Sequence, residues 1–138
     1  MNRATYRALA AYAGSALAQP CPWPVTATTP FQMEANPAVY LAVDIDDRCC
    51  YVGSVARQGG TGLADRIAAH LRQPHKARTW QEVWVLPLLP GTPRSEVRRI
   101  EGVVGAHLGP KGSVRLPILV APRGRSANQL QARAGSAK

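Results

Sequence analysis

Five side chains with chemical potential follow one another in this sequence at short, regular intervals. Tyr40 and Tyr51 lie eleven residues apart in two short apolar runs. Arg66 and His70 are four residues apart, a spacing that puts two side chains on one face of a helix. Glu101 follows thirty-one residues after His70. Phosphodiester hydrolysis needs an activated water, stabilisation of charge on the phosphoryl group and help for the leaving oxygen, and these residue types can supply all three.

The residue types also set conditions on that chemistry. A tyrosine has an ordinary pKa of about 10, so Tyr40 becomes a base only if cationic neighbours stabilise its phenolate. Arg66 and His70 could do so, or His70 could relay the proton itself. The guanidinium of Arg66 offers a planar fork of donors for phosphate oxygens. Glu101 is a single carboxylate, which suits Mg²⁺ because that ion keeps most of its waters.

A predicted β-hairpin carries the two tyrosines. The apolar runs Ala38 to Val43 and Cys49 to Val55 are separated by a polar turn, which is typical of paired antiparallel strands. The two-residue period of a strand puts Tyr51 on one face with Gly53. Because Gly53 has no side chain, another group can approach the backbone closely there.

Helices and a third strand complete the predicted fold. We expect helices at residues 3–18 and Leu63 to Leu71, a basic loop at Gln73 to Thr79, and a strand at Trp80 to Leu89 with Trp80 and Trp84 on one face. A last long helix, capped by Thr92 or Ser95, ends near Leu108 before a glycine. The prediction is an α+β domain with a small, mostly antiparallel three-stranded sheet flanked by helices. A further strand is expected near residues 114–120.

Charge divides the chain into three parts. The net charge is +9, of which residues 1–33 carry +2, residues 34–108 carry +1 and residues 109–138 carry +6. We expect an N-terminal helix and proline-rich connector at 1–36, one domain at 37–120, and a basic, disordered tail at 121–138. The basic excess favours a nucleic-acid partner, although a composition rich in arginine, alanine, glycine and proline also accounts for it.

The cysteines and the hydropathy of the sequence indicate in which cellular compartment the protein is expected. The three cysteines include an adjacent pair and show no C-x-x-C spacing, which favours a reducing, cytoplasmic setting over a disulfide framework or a zinc site. No run reaches the roughly 18 apolar residues of a membrane span, so no membrane partner is expected. The alanine-rich first twenty residues imitate a secretion signal, but an arginine interrupts them, and an amphipathic helix is the better interpretation.

The hairpin triplets Ala38-Val39-Tyr40 and Tyr51-Val52-Gly53, followed by Arg66-x-x-x-His70 and Glu101, resemble the GIY-YIG nuclease family. The resemblance covers about residues 37–113. The sequence departs from the family pattern at Ala38, where a glycine is usual, and at Ser113, where an asparagine is common. The resemblance implies a GIY-YIG-like fold and a DNA endonuclease that uses a single Mg²⁺ or Mn²⁺ ion.

The resemblance also implies a role for each site residue. Tyr40 would be the general base, and Tyr51 would position water or phosphate. His70 would orient or deprotonate Tyr40. Arg66 would stabilise the transition state, and Glu101 would hold the metal near the leaving 3′-oxygen. Gly53 and Ser113 would shape the site.

The surroundings of this site suggest how the partner is chosen. Arg57, Lys76 and Arg78 are expected to contact phosphates without reading sequence. No second domain for sequence readout is evident, so DNA shape, a targeting protein or a homo-oligomer would supply selectivity. The alternative interpretation is a catalytically impaired module of the same type that binds nucleic acid or a protein.

Overall fold

The computed structural model describes residues 1–56 and 62–109 of the chain. The predicted strand near 114–120 and the predicted tail at 121–138 lie outside these residues. In chain order the elements are α1 (Arg3–Ala13), a 3₁₀ turn (Gly14–Ala16), β1 (Val25–Thr26), β2 (Ala38–Val43), β3 (Cys49–Val55), α2 (Leu63–Leu71), α3 (Pro74–Thr79), β4 (Glu82–Pro87) and α4 (Arg94–Leu108). The chain is therefore α+β, as the sequence predicts.

The sheet has four antiparallel strands in the order β1-β4-β2-β3. Three of them are the predicted strands. The fourth, β1, comes from the proline-rich connector, where Val25 pairs with Val83. This short strand covers backbone groups of β4 that would otherwise form an open edge. β3 forms the opposite edge of the sheet.

Side chains are packed on both faces of the sheet. On one face, the odd-numbered residues of β2 pack with α1 and α4, in a core that includes Val39, Leu41 and Ile100. On the other face, Tyr40 packs with α2 and with the connector residue Phe31. Because both faces are covered, all six residues of β2 are buried. Val39, Leu41 and Val43 therefore face one core, and Tyr40 on the other face is buried as well.

Three local predictions were wrong. The first helix ends at Ala13, not at residue 18, because Gly14 turns away with a φ of 54°. The predicted loop at Gln73 to Thr79 contains α3, whose first residue is Pro74, a position where the missing N–H of proline costs nothing. Trp80 precedes β4 and packs with Tyr40, whereas Trp84 lies on the opposite face of the sheet.

The cap predicted for the start of α4 was wrong, whereas the glycine predicted to end this helix was confirmed. Pro93 occupies the N-cap position and no side chain caps the helix. The Thr92 hydroxyl instead donates to the carbonyl of Leu89, at 2.6 Å. At the other end Gly109 adopts the left-handed conformation, with φ 53° and ψ 54°, as the predicted glycine stop requires. In residues 1–56 and 62–109, no helix has both the length and the apolar character needed to cross a membrane.

Candidate active site

The hairpin register brings the two tyrosines together on one face. Tyr40 pairs with Gly53, and Ala42 pairs with Tyr51, so the tyrosines are diagonal neighbours. Their ring centroids are 6.2 Å apart and the rings are inclined by 27°. Tyr40 is fully buried, whereas Tyr51 is partly exposed. One tyrosine is therefore fixed by packing, and the other reaches the surface beside it.

Gly53 provides the space that the phenol of Tyr40 occupies. A Cβ atom on Gly53 would lie 2.6 Å from the Tyr40 hydroxyl oxygen and 2.8 Å from Cε2 of Tyr51. Neither distance is compatible with a real side chain without displacement of a ring. The predicted close approach at Gly53 is thus present, and the approaching group is Tyr40 itself.

His70 projects from α2 onto the Tyr40 phenol. Its Nε2 atom is 2.8 Å from the Tyr40 hydroxyl oxygen, and the side chain is buried. The apolar stripe of α2, Leu63 and Ile67, packs on the same face of the sheet and directs this side of the helix inward. The imidazole centroid lies 4.8 Å from the ring centroid of Tyr51. The sequence-predicted pair of Tyr40 and His70 is therefore in direct contact.

Lys76 of α3 contacts the other nitrogen of the imidazole. Its Nζ atom is 2.8 Å from Nδ1 of His70 and lies 4.7 Å from the ring centroid of Tyr51. Trp80 closes the cluster, with its ring centroid 4.8 Å from that of His70. Lys76 was expected to contact phosphate, and Trp80 to lie in a strand. Neither contact with His70 was anticipated, since α3 was expected to be a loop.

The pKa of Tyr40 reflects opposing influences. Burial raises it above the ordinary value, and the neighbouring Tyr51 raises it further. A hydrogen bond from Arg66 and the charge of that guanidinium lower it, and the charge of Glu101 raises it. The balance favours the neutral phenol. Arg66 is an exposed residue of α2.

Burial lowers the pKa of His70 from 6.5 to about 4, and the positive charges of Lys76 and Arg66 contribute to the shift. The imidazole is therefore neutral at neutral pH. Burial and the charge of Arg66 also lower the pKa of Lys76.

Glu101 of α4 lies beside β3, the edge strand of the sheet. Its Oε1 atom accepts a hydrogen bond of 2.5 Å from the hydroxyl of Ser54, the residue that follows Gly53 in β3. Burial raises the pKa of Glu101, while the bond from Ser54 and the charges of Arg98 and Arg66 lower it. Ser54 pairs with Val39 on the α4 face of the sheet. The charge of Glu101 nevertheless raises the pKa of Tyr40, which lies on the other face of the sheet.

The donor set limits the kind of metal site. Residues 1–56 and 62–109 contain no group of three or more His, Cys, Asp or Glu side chains that could hold an ion. A multidentate cage therefore does not fit the described residues. One carboxylate fits an ion such as Mg²⁺, which completes its shell with water and phosphate oxygens.

Of the remaining predicted site residues, Arg78 alone lies in the described part of the chain. Arg78 is exposed on α3. Arg57 and Ser113 lie outside the described residues. Comparisons of the chain with protein-family models, curated proteins and solved structures found no match.

Proposed function

We propose that this protein is a metal-dependent DNA endonuclease that hydrolyses phosphodiester bonds through a GIY-YIG-type site. The observation that carries the proposal is the 2.8 Å contact of one buried phenol, Tyr40, with Nε2 of His70, together with the influence of Arg66, which lowers the pKa of that phenol. A tyrosine that only fills a core does not need a histidine and an arginine on its hydroxyl. Such neighbours favour the phenolate, which is the form that can act as a base.

The proposed reaction begins with a water molecule beside Tyr40. The Tyr40 phenolate accepts a proton from this water as its oxygen attacks phosphorus, and the bond from phosphorus to the 3′-oxygen breaks. His70 orients or deprotonates Tyr40. Tyr51, which reaches the surface next to it, positions the water or the phosphate. Arg66 donates to the phosphoryl oxygens, whose charge grows in the transition state.

Glu101 is the residue that would hold Mg²⁺ or Mn²⁺. When bound, the ion would supply positive charge for the phosphoryl group and the leaving 3′-oxygen. Ser54 fixes the carboxylate through its hydrogen bond to Oε1. Burial of Glu101 favours its neutral form, so a cation beside it would restore the carboxylate.

The proposed partner is DNA, bound mainly through its phosphates. Arg78 and the positively charged C-terminal part of the sequence are suited to contacts that do not read bases. Selectivity would then come from DNA shape, from a targeting protein or from a homo-oligomer. The proposed location is the cytoplasm, where the three cysteines would stay reduced.

A second candidate is a catalytically impaired module of the same type that binds nucleic acid or a protein. Two observations favour it: the described residues contain no group of three or more side chains that could hold a metal ion, and the Tyr40 phenol is held in its neutral form. This candidate predicts salt-sensitive DNA binding without metal-dependent cleavage.

The direct test is cleavage across a panel of DNA shapes. Supercoiled, linear, flapped and four-way-branched DNA would be incubated with the protein and Mg²⁺, Mn²⁺ or a chelator. We expect metal-dependent cleavage of at least one shape, and loss of cleavage in Arg66→Ala and Glu101→Ala with unchanged circular dichroism. Arg72→Ala, at the exposed end of α2, is the matched control and should cleave normally. Binding without cleavage of any shape would favour the second candidate.

A further inference from the structure

We propose that Lys76 is a positioning residue that fixes the tautomer of His70, so that Nε2 of His70 donates a hydrogen bond to Tyr40. This inference rests on the proposed function, since it concerns how the base of that reaction is prepared. It assigns to Lys76 a role in the site, in place of the phosphate contact that the sequence suggested.

The geometry around Lys76 indicates a charged ammonium group. The Nζ atom lies over two aromatic rings, 4.7 Å from the centroid of Tyr51 and 5.7 Å from that of Trp80. Such cation–π contacts stabilise the charged form of lysine and offset part of the cost of its burial. A lysine ammonium has three donors and no acceptor. The 2.8 Å contact with Nδ1 of His70 is therefore a bond in which Lys76 donates.

The tautomer of His70 follows from that bond. A neutral imidazole carries one proton, so a nitrogen that accepts leaves the proton on the other nitrogen. With Nδ1 accepting from Lys76, the proton is on Nε2, and Nε2–H points at the Tyr40 oxygen 2.8 Å away. The low pKa of His70, about 4, agrees with a neutral ring at neutral pH.

The hydroxyl oxygen of Tyr40 then receives a hydrogen bond from His70, and Arg66 lowers the pKa of the same hydroxyl. Donors on the oxygen stabilise the phenolate relative to the phenol. In this tautomer His70 has no free lone pair for the proton of Tyr40. The structure thus distinguishes between the two roles left open for His70 and favours orientation.

The proton balance is simple in this scheme. The phenol of Tyr40 releases its proton to solvent before the reaction. During attack, the O–H bond of the water breaks and its proton returns to the Tyr40 oxygen, while the oxygen–phosphorus bond forms and the bond to the 3′-oxygen breaks. A solvent water protonates the leaving 3′-oxygen.

The groups that influence the protonation of Tyr40 and the tautomer of His70 come from four elements. The charged or titratable side chains that act on the Tyr40 phenol or on His70 are Arg66 and His70 of α2, Tyr51 of β3, Lys76 of α3 and Glu101 of α4. Only Lys76 contacts Nδ1 of the imidazole among the bonds described. Its removal should therefore change the tautomer of His70 while the other groups remain.

The test is ¹⁵N NMR of the histidine rings in the free, full-length protein at neutral pH. The chain has three histidines, and His70→Gln identifies the signal of His70 by its loss. In wild type we expect a proton on Nε2 and an unprotonated Nδ1. In Lys76→Met, which keeps an apolar stem over the rings, the Nδ1–H tautomer should become the major form. Lys76→Arg should restore the wild-type tautomer, and Arg72→Met should not change it.

Cleavage kinetics provide a second measurement. Without Lys76, the tautomer of His70 no longer donates to the Tyr40 oxygen, and the phenolate loses a hydrogen bond that stabilises it. Lys76→Met should therefore lower kcat at pH 7.5 by about tenfold with little change in KM. Lys76→Arg should restore kcat. If Lys76 only bound phosphate, KM would rise and kcat would be unchanged.

The two proposals can fail separately. A wild-type His70 with its proton on Nδ1, or a tautomer that does not change in Lys76→Met, would overturn the role of Lys76 even if the protein cleaves DNA. The expected tautomers in a protein that cleaves no DNA would support the role of Lys76 in orienting His70 and would refute the nuclease proposal.

Discussion

Burial of His70 predicts a loss of stability as the pH falls. The pKa of His70 is about 4 in the folded protein, against 6.5 for a free histidine. Between these values the unfolded chain binds more protons than the folded chain, so the free energy of unfolding rises with pH. A difference of about 2.5 units, at about 1.4 kcal/mol per unit, amounts to about 3.5 kcal/mol. This stability is fully present above about pH 6.5 and is lost as the pH falls to about 4.

The assay is urea unfolding of wild type and His70→Gln at intervals between pH 4 and pH 8. Other groups titrate in this range, and burial shifts the pKa of Glu101 in the opposite sense. The difference between the two proteins removes contributions that they share. Glutamine has no charge to gain, so the wild type should lose about 3.5 kcal/mol more than His70→Gln on acidification. Parallel curves would refute the conclusion that His70 is held neutral by its surroundings.

Three further predictions concern packing around the site. Gly53→Ala should lower the free energy of unfolding by about 1–3 kcal/mol and displace Tyr40, because the new methyl group overlaps the phenol. Urea unfolding measures the loss of stability, and tyrosine fluorescence measures the displacement. A stability and a fluorescence equal to those of wild type would contradict the close approach of Tyr40 to Gly53. Tyr6→Phe should lower the free energy of unfolding by about 1–3 kcal/mol, since the buried hydroxyl donates to the carbonyl of Val85 at 2.7 Å; an unchanged urea midpoint would count against it. Glu34→Ala should lower the free energy of unfolding by about 1 kcal/mol, because the Glu34 carboxylate accepts from an N–H in the first turn of α2. An unchanged melting temperature, measured by circular dichroism, would contradict this.

Local patterns in the sequence predicted the elements that hold the tyrosines and His70. The bounds of β2, β3 and α2 agree with the predicted ones, because alternation and helical periodicity there coincide with real burial. The face shared by Tyr51 and Gly53 also follows from the strand period. The contact between Tyr40 and His70 follows only once α2 is packed on that face.

Contacts that depend on tertiary packing were not predictable in this way. β1 is a two-residue strand within a proline-rich connector, and it is too short to show the alternation of apolar and polar residues that predicts a strand. Lys76 and Trp80 contact His70 because α3 packs against α2. The basic sequence of α3 suggested a solvated loop instead. Ser54 binds Glu101 across the β3 edge, a contact between residues far apart in the chain.

The central claim, that Tyr40 is the base of a phosphodiester-cleaving site, is tested most directly by Tyr40→Phe. This change removes one oxygen and leaves the buried ring in β2. We predict Mg²⁺-dependent cleavage of DNA by wild type, with 5′-phosphate and 3′-hydroxyl ends, and a rate about 10²–10⁴-fold lower in the variant, the range for loss of a general base. Equal rates for the two proteins, or no cleavage of any DNA shape by wild type with either metal, would contradict it.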